Sequence, residues 1–488
     1  MKPLPNRLDP ATLIFILIVA VFIALRLWRL TTYGLWFDET FSLHAARLSL
    51  PGLLNFTATD IVHPPLFYLL LKGWIQIGGD SVLWLKLFPL LTAVASIIPF
   101  VLLCRELRLK SSELNLSLFL FAVNAYLIYY AQELRMYSLL LCLTLFSLAL
   151  FLRFISRGPL RFSYWLLVVN VLLVYTHYFG WFVVFAELLY VLFWRRHALR
   201  HFVVLVLVLG VCYVPWALFV AKVLGERKGL GENLNWLGRP GLAQVIWYYA
   251  TLNGTFLLRR TTPIGLLLFS SPVIFWLYQR FRERLADALK LKFLLFVSLV
   301  PVVSALVASY VLPQSIWGER YLIVASVPYL MLVACAALRV PFRQLKPLLV
   351  ILIVAWAGLS GYGNLASSKE RINWYDLANT MIKSERGKSS VNVYAEAEFV
   401  ASPVRFSLAS LGEQKFTVIA GNDMFGRPVR DVLQAAFADS HFWLAYRPDA
   451  RQTYKPHEVL RARGCRIENE FEVSARDQKI IYFPVDCP

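Results

Sequence analysis

Charge is scarce in this 488-residue chain: only 16% of its residues are Asp, Glu, Lys or Arg, against about a quarter in soluble domains. With 58% hydrophobic and 15% aromatic residues and a mean hydropathy of +0.59, a soluble globular protein is excluded. There is no Walker loop and no G-x-G-x-x-G, so the two common nucleotide-cradling turns are missing. Nor is there zinc-ligand spacing, an internal repeat or a low-complexity segment. Of six cysteines, Cys104, Cys142, Cys212 and Cys335 lie in or beside apolar runs and read as packing residues. Cys465 and Cys487 fall in the C-terminal region, where a disulfide can form.

Acids are outnumbered 30 to 49 by Lys and Arg, a formal net charge of +19. In a soluble chain that excess would suggest nucleic acid; here its distribution gives it another meaning. The cations cluster between apolar runs, in "RELRLK" (105–110), "RFISRGPLR" (153–161), "RRHALR" (195–200), "QRFRERLADALKLK" (279–292) and "RVPFRQLK" (339–346). The alternate loops "AQELR", "THYFG" and "LPQSIWGER" carry only Arg135 and Arg320. This asymmetry is the positive-inside signal, and it predicts a cytoplasmic N-terminus and five cytoplasmic basic loops, with no nucleic-acid partner.

The first apolar run, 11–25, lacks a small-residue cleavage site and reads as a retained span. Eleven spans are predicted: 12–30, 82–103, 113–130, 136–153, 162–177, 179–194, 202–221, 263–279, 293–311, 320–338 and 347–364. The run "HPPLFYLLLKGWIQIGG" (63–79) has Lys72 in its middle and is shorter than the roughly 20 residues a crossing needs, so it is expected to lie at the outer interface with Lys72 snorkelling. Arg26 and Arg29 are expected to snorkel to headgroups from the first span. After about 365 the apolar runs shorten to strand length at 390–395, 415–421, 441–447 and 479–485, with helices at 429–438 and 456–464. The predicted fold is therefore a polytopic α-helical membrane protein, residues 1–364 with an outer loop at 31–81, followed by a small extracytoplasmic α/β domain, 365–488.

Parity sends the informative polar residues to one face: Asp38, Glu39, His44, Asp60 and His63 in the first outer loop, then Glu133, Arg135 and Tyr137, then His177 and Tyr178, then Glu319 and Arg320. Carboxylates, imidazoles and guanidiniums gathered at a membrane face suit a reaction of a lipid-borne anion. Each has a structural rival. Asp38 suits an N-cap as well as a general base, although Phe41 stands where a capping box wants Glu or Gln. Glu39 reads as a supporting or metal-binding carboxylate or as a solvated first-turn residue. His63 reads as a ligand for phosphate or acceptor or as local structure before Pro-Pro. Glu133 suits pairing with Arg135 or Arg320, and His177 and Tyr178 are expected to be interfacial belt residues.

"LWFDET", "HPPLFYLLL", "AQELRMYSLLL", "THYFGWFVV" and "ERYLIVASVPYLML" occur in this order between about 12 and 340. Together they resemble the family 39 glycosyltransferases, the dolichyl-phosphate-mannose-protein mannosyltransferase superfamily of GT-C membrane enzymes, whose bacterial members include the aminoarabinose transferases that modify lipid A. The resemblance implies transfer of a sugar from a polyprenyl-phosphate donor to a protein, lipid A or other glycan acceptor at the outer face of a bacterial inner membrane. It implies Asp38 as general base with Glu39 in support, and His63, Lys72, Glu133, Arg135, Tyr137 and Arg320 as substrate-binding residues, Arg135, Arg320 and Lys72 being suited to the departing phosphate. Family members differ over a bound divalent metal ion, so a metal cofactor stays open. A second class, a transporter or flippase for a lipid-linked sugar, would also use many spans, but it would favour internal duplication and midplane charges.

Overall fold

A computed structural model describes residues 9–226, 238–255, 262–282, 288–366, 371–448, 455–475 and 478–488. The chain divides into two compact units. The first comprises Met1–Trp28, Thr57–Phe67 and Phe88–Ala366; the second comprises Arg29–Phe56, Tyr68–Leu87 and Ser367–Pro488. The expected outer loop is thus shared between them, most of it clustering with the C-terminal region.

Each of the eleven stretches read as a span contains a helix. Among the described residues, seven helices are long and apolar enough to cross a membrane, and an eighth if one bent pair counts as a single span; Arg161–Thr176, Gly180–Trp194 and Pro263–Gln279 are shorter apolar helices. This is an integral membrane protein. The Leu66–Gly78 helix has 13 residues and rises about 20 Å, short of the roughly 30 Å hydrocarbon core.

The bent pair is Ser111–Val123 with Ala125–Ala131, turned by 62°. Asn124 joins them, capping the second helix by accepting from Leu127 N at 3.2 Å. Arg26 does not snorkel. It is fully buried, and its guanidinium donates to the carbonyls of Ala122 (3.0 Å) and Phe121 (3.2 Å), which the bend releases from the helical ladder. A free carbonyl inside a membrane needs a donor, and that need outweighs the pull of headgroups on the side chain.

Basic loops meet at one end of this unit. Arg153 and Arg157 pair with Glu106 at 2.8 and 3.0 Å, Lys290 donates to Arg108 O at 2.8 Å, and Arg339 pairs with Glu113 at 2.9 Å. The Tyr137–Arg157 helix runs about 31 Å from that end to the opposite one.

In the second unit, strands β1 (Val391–Ala395), β2 (Phe416–Ala420), β3 (His441–Tyr446), β4 (Arg466–Ile467), β5 (Phe471–Ala475) and β6 (Gln478–Asp486) form one sheet in the order β2-β1-β3-β6, with β4 and β5 both paired to β6. β1 is parallel to β2 and β3, the helices between them making the crossovers, and β6 is antiparallel to β3. Alternation splits the side chains cleanly. Val393, Ala395, Trp443, Ala445, Ile480 and Tyr482 pack against Trp374, Leu377, Met381, Val400 and Val404. Tyr394, Phe442, Leu444, Ile481 and Phe483 pack against Val432, Leu433 and Leu460 on the other face. Both faces are covered, which is why the strands read as continuous apolar runs. Cys465 and Cys487 form a disulfide.

A buried carboxylate locks this sheet. Glu385 is 2% exposed and accepts from Trp443 Nε1 (2.6 Å), His441 Nε2 (3.0 Å) and Lys388 (3.0 Å), while His441 Nδ1 reaches Asp486 at 2.6 Å. Burial alone would raise the Glu385 pKa, but hydrogen bonds from Lys388, Trp443 and His441 hold it below the usual glutamate value. A carboxyl lowered on folding stabilises the fold above its unfolded pKa, about 4.3, and that contribution is lost as pH falls through the lower folded value. Melting temperature measured from pH 7 to pH 3 should therefore fall in that acid window, and Glu385→Gln should melt lower at pH 7 with a flatter acid slope. An unchanged slope would remove Glu385 from the account.

Candidate active site

At the end of the first unit remote from the basic loops, three short connections bring polar side chains together. The Leu50–Asp60 helix ends at Asp60, and Ile61 then adopts φ +63°, a left-handed conformation that costs a β-branched residue of order 1–3 kcal/mol. That turn delivers His63, only 2% exposed. Arg135 Nη2 lies 3.3 Å from His63 Nδ1, and Asp60 Oδ2 lies 3.4 Å from the same nitrogen. Arginine can only donate and a carboxylate can only accept, so the two residues compete for this nitrogen, Arg135 favouring its lone pair and Asp60 its proton.

Arg135 and Glu133 sit, both buried, in a tight turn in which Arg135 N donates to Glu133 O at 2.6 Å. Tyr137 opens the next helix, its ring 4.9 Å from Tyr130 and 6.4 Å from Tyr321. His177, in the link between helices Pro159–Thr176 and Gly180–Trp194, has its ring 5.1 Å from His63 and 4.8 Å from Tyr321. Its Nδ1 accepts from Phe179 N at 3.1 Å, so Nε2 carries the proton; Nε2 and the hydroxyls of Tyr137 and Tyr321 are buried without a hydrogen-bond partner among the described residues. Burial, and then the neighbouring His63 and the positive charge of Arg135 and Arg320, drives the His177 pKa well below the ordinary imidazole value, keeping it a neutral donor. Arg320 is half-buried, its guanidinium 5.4 Å from the Tyr321 ring centre. Two guanidiniums, a neutral imidazole N–H and phenol hydroxyls, with the carboxylates of Asp60 and Glu133 beside them, form a donor-rich cluster that can hold an anion.

Asp38, Glu39 and Lys72 belong to the second unit. The N-cap reading of Asp38 is corrected: the helix is Phe37–Arg47 with Trp36 as its N-cap, so Asp38 lies inside the first turn, half-buried. Glu39 does the capping, its Oε2 accepting from Trp36 N at 3.1 Å. The expectation of a solvated Glu39 fails as well, since it is 1% exposed and its other oxygen, Oε1, pairs with the equally buried Lys86. Lys72 donates to Leu48 O at 2.6 Å and Ala46 O at 3.4 Å, closing the C-terminal end of the same helix, where cations are favoured. Among the described residues, no group of three or more His, Cys, Asp or Glu is gathered to hold a metal ion.

The structure thus unites His63, Arg135 and Tyr137, adds His177, which the sequence reading left in the aromatic belt, and sets Arg320 next to the Tyr321 ring that packs on them. Lys86 was absent from that reading. A lysine inside the apolar run "VLWLKLFPLL" was the available signal, because an ionisable residue there demands a partner.

No protein-family model matches the chain, and no curated protein matches it either. Solved structures do. The crystal structure of ArnT from Cupriavidus metallidurans in the apo state matches with TM-score 0.59 and 12% identity, over 98% of each chain. The same protein bound to undecaprenyl phosphate matches with TM-score 0.56 and 12% identity, over 97% of this chain and 98% of that one. An Archaeoglobus fulgidus oligosaccharyltransferase tethered with an acceptor peptide matches with TM-score 0.50 and 13% identity, over 85% of this chain and 64% of that one. The fold is therefore that of the GT-C membrane proteins, as the motif resemblance implied.

Proposed function

We propose that this chain is a glycosyltransferase that moves a hexose or pentose from a polyprenyl-phosphate donor to an acceptor hydroxyl on a protein, lipid A or another glycan, at the outer face of a bacterial inner membrane. The observation that carries the reading is the buried, donor-rich cluster of Arg135, His63 and His177 beside Arg320 and Tyr321, at the end of the first unit away from the basic loops. The GT-C fold, and the undecaprenyl phosphate bound by the ArnT structure, support it.

In this reaction the acceptor oxygen forms a bond to the anomeric carbon, and the bond from that carbon to the phosphate oxygen breaks. The electron pair leaves with polyprenyl phosphate, whose growing negative charge Arg135 and Arg320 stabilise. The acceptor proton passes to the Asp38 carboxylate. Glu39, tied to the Trp36 amide and to Lys86, fixes the turn that carries Asp38.

Arg320→Ala should weaken binding of polyprenyl phosphate by about 1.5–3 kcal/mol, the scale of a charge-assisted hydrogen bond, and Arg320→Lys should restore only part of it because an ammonium lacks the bidentate fork. Titrating polyprenyl phosphate into the detergent-purified protein tests this. Unchanged affinity in both Arg320→Ala and Arg135→Ala would refute the phosphate role.

A further inference from the structure

The second unit contains a cavity of about 690 Å³, inside the range of small-molecule sites, about 300–1,000 Å³. One wall is a single stripe of the Phe37–Arg47 helix, Thr40, Leu43, His44 and Arg47, spaced three and four apart. Asp38 precedes Thr40 by two residues, about 200° around the helix, so the cavity lies on the face turned away from Asp38. The opposite wall comes from the Glu398–Ser410 helix, joined to the first through a hydrogen bond from the Ser402 hydroxyl to that of Thr40.

The lining mixes donors with acceptors and balances its charge. Arg47 is paired with Asp80 at the rim, and Arg405 with Glu398 at 2.7 Å. Burial lowers the His44 pKa; Glu398 opposes this and Arg47 and Arg405 reinforce it, so near neutral pH His44 offers one donor and one acceptor nitrogen. Tyr375 adds a ring edged by a hydroxyl. A phosphate only accepts, and Asp80 in the lining and Glu398 paired behind Arg405 would oppose it; an ammonium only donates, and the arginines would oppose it. A ligand whose every hydroxyl both donates and accepts matches all of these groups at once.

We propose that this cavity binds a neutral carbohydrate, as a glycan site separate from the chemistry at Asp38. The inference goes beyond the transferase reading, because it concerns binding and not turnover.

Saturation-transfer NMR on the full chain in detergent, with maltotriose, mannotriose and chitotriose as probes and inorganic phosphate as competitor, tests it. At least one trisaccharide should bind saturably and resist phosphate. Arg47→Gln, a substitution at an exposed rim side chain, and Arg405→Gln should each weaken that binding about tenfold, and Asp38→Asn should leave it unchanged. No saturable binding, binding indifferent to both arginine substitutions, or displacement by phosphate, which would indicate a site for a phosphorylated headgroup, would each overturn the proposal. Loss of donor turnover in Asp38→Asn with binding retained would separate this site from the transferase reading.

Discussion

Asp38→Asn is expected to fold as the wild type, to bind polyprenyl phosphate normally, and to turn over roughly 100-fold or more slowly, the scale of removing a general base. Asn matches Asp in size and cannot take a proton. The structure sharpens the test, because the capping acceptor of this helix is Glu39 and not Asp38, so losing the Asp38 carboxylate removes no cap. Asp38→Ala should be as inactive as Asp38→Asn. Turnover is read as release of polyprenyl phosphate, and stability as thermal unfolding in detergent. Near wild-type turnover in Asp38→Asn would end the catalytic assignment. A much lower melting point in Asp38→Ala alone would make the residue structural.

Lys86→Met is expected to cost about 3–5 kcal/mol of stability, the usual consequence of stripping the partner from a buried ion pair. Lys86 and Glu39 are each 1% exposed, and Glu39 also holds the Trp36 amide, so an uncompensated carboxylate would sit in the turn that carries Asp38. Adding Glu39→Gln to Lys86→Met should recover much of the loss: the amide oxygen can still accept from Trp36, and no buried charge is left. A double variant no more stable than Lys86→Met would show that the pair is not the source of the destabilisation. If Lys86→Met unfolds like the wild type, the ion pair contributes nothing that the helix needs.

A helix was legible in each of the eleven apolar runs, although Arg161–Thr176, Gly180–Trp194 and Pro263–Gln279 are shorter than the length and composition of a span require, and the basic loops separated the two ends of the first unit. The strands at 391–395, 416–420, 441–446 and 478–486 followed from their short apolar runs. β5, Phe471–Ala475, was missed because its outward residues are polar and its run short, as were the helices Trp374–Ser384 and Glu398–Ser410 that cover one face of the sheet. In the site, Arg135 and His63 could be named from loop position, but their contact joins residues 72 apart in sequence. His177, Lys86 and Arg26 resisted for a common reason. Their roles come from burial beside a specific partner (a second imidazole, a carboxylate, carbonyls freed by a bend), and no periodicity encodes a partner.

The most direct test of glycosyl transfer is to reconstitute the chain in proteoliposomes with radiolabelled polyprenyl-phosphate sugar, add membranes from cells lacking it as acceptor, and follow both the lipid and the label. The account predicts that polyprenyl phosphate is released in step with label appearing on a protein, lipid or glycan, and that Asp38→Asn abolishes both. Label that crosses the bilayer still attached to its polyprenyl phosphate, with none released, would identify a transporter and contradict it.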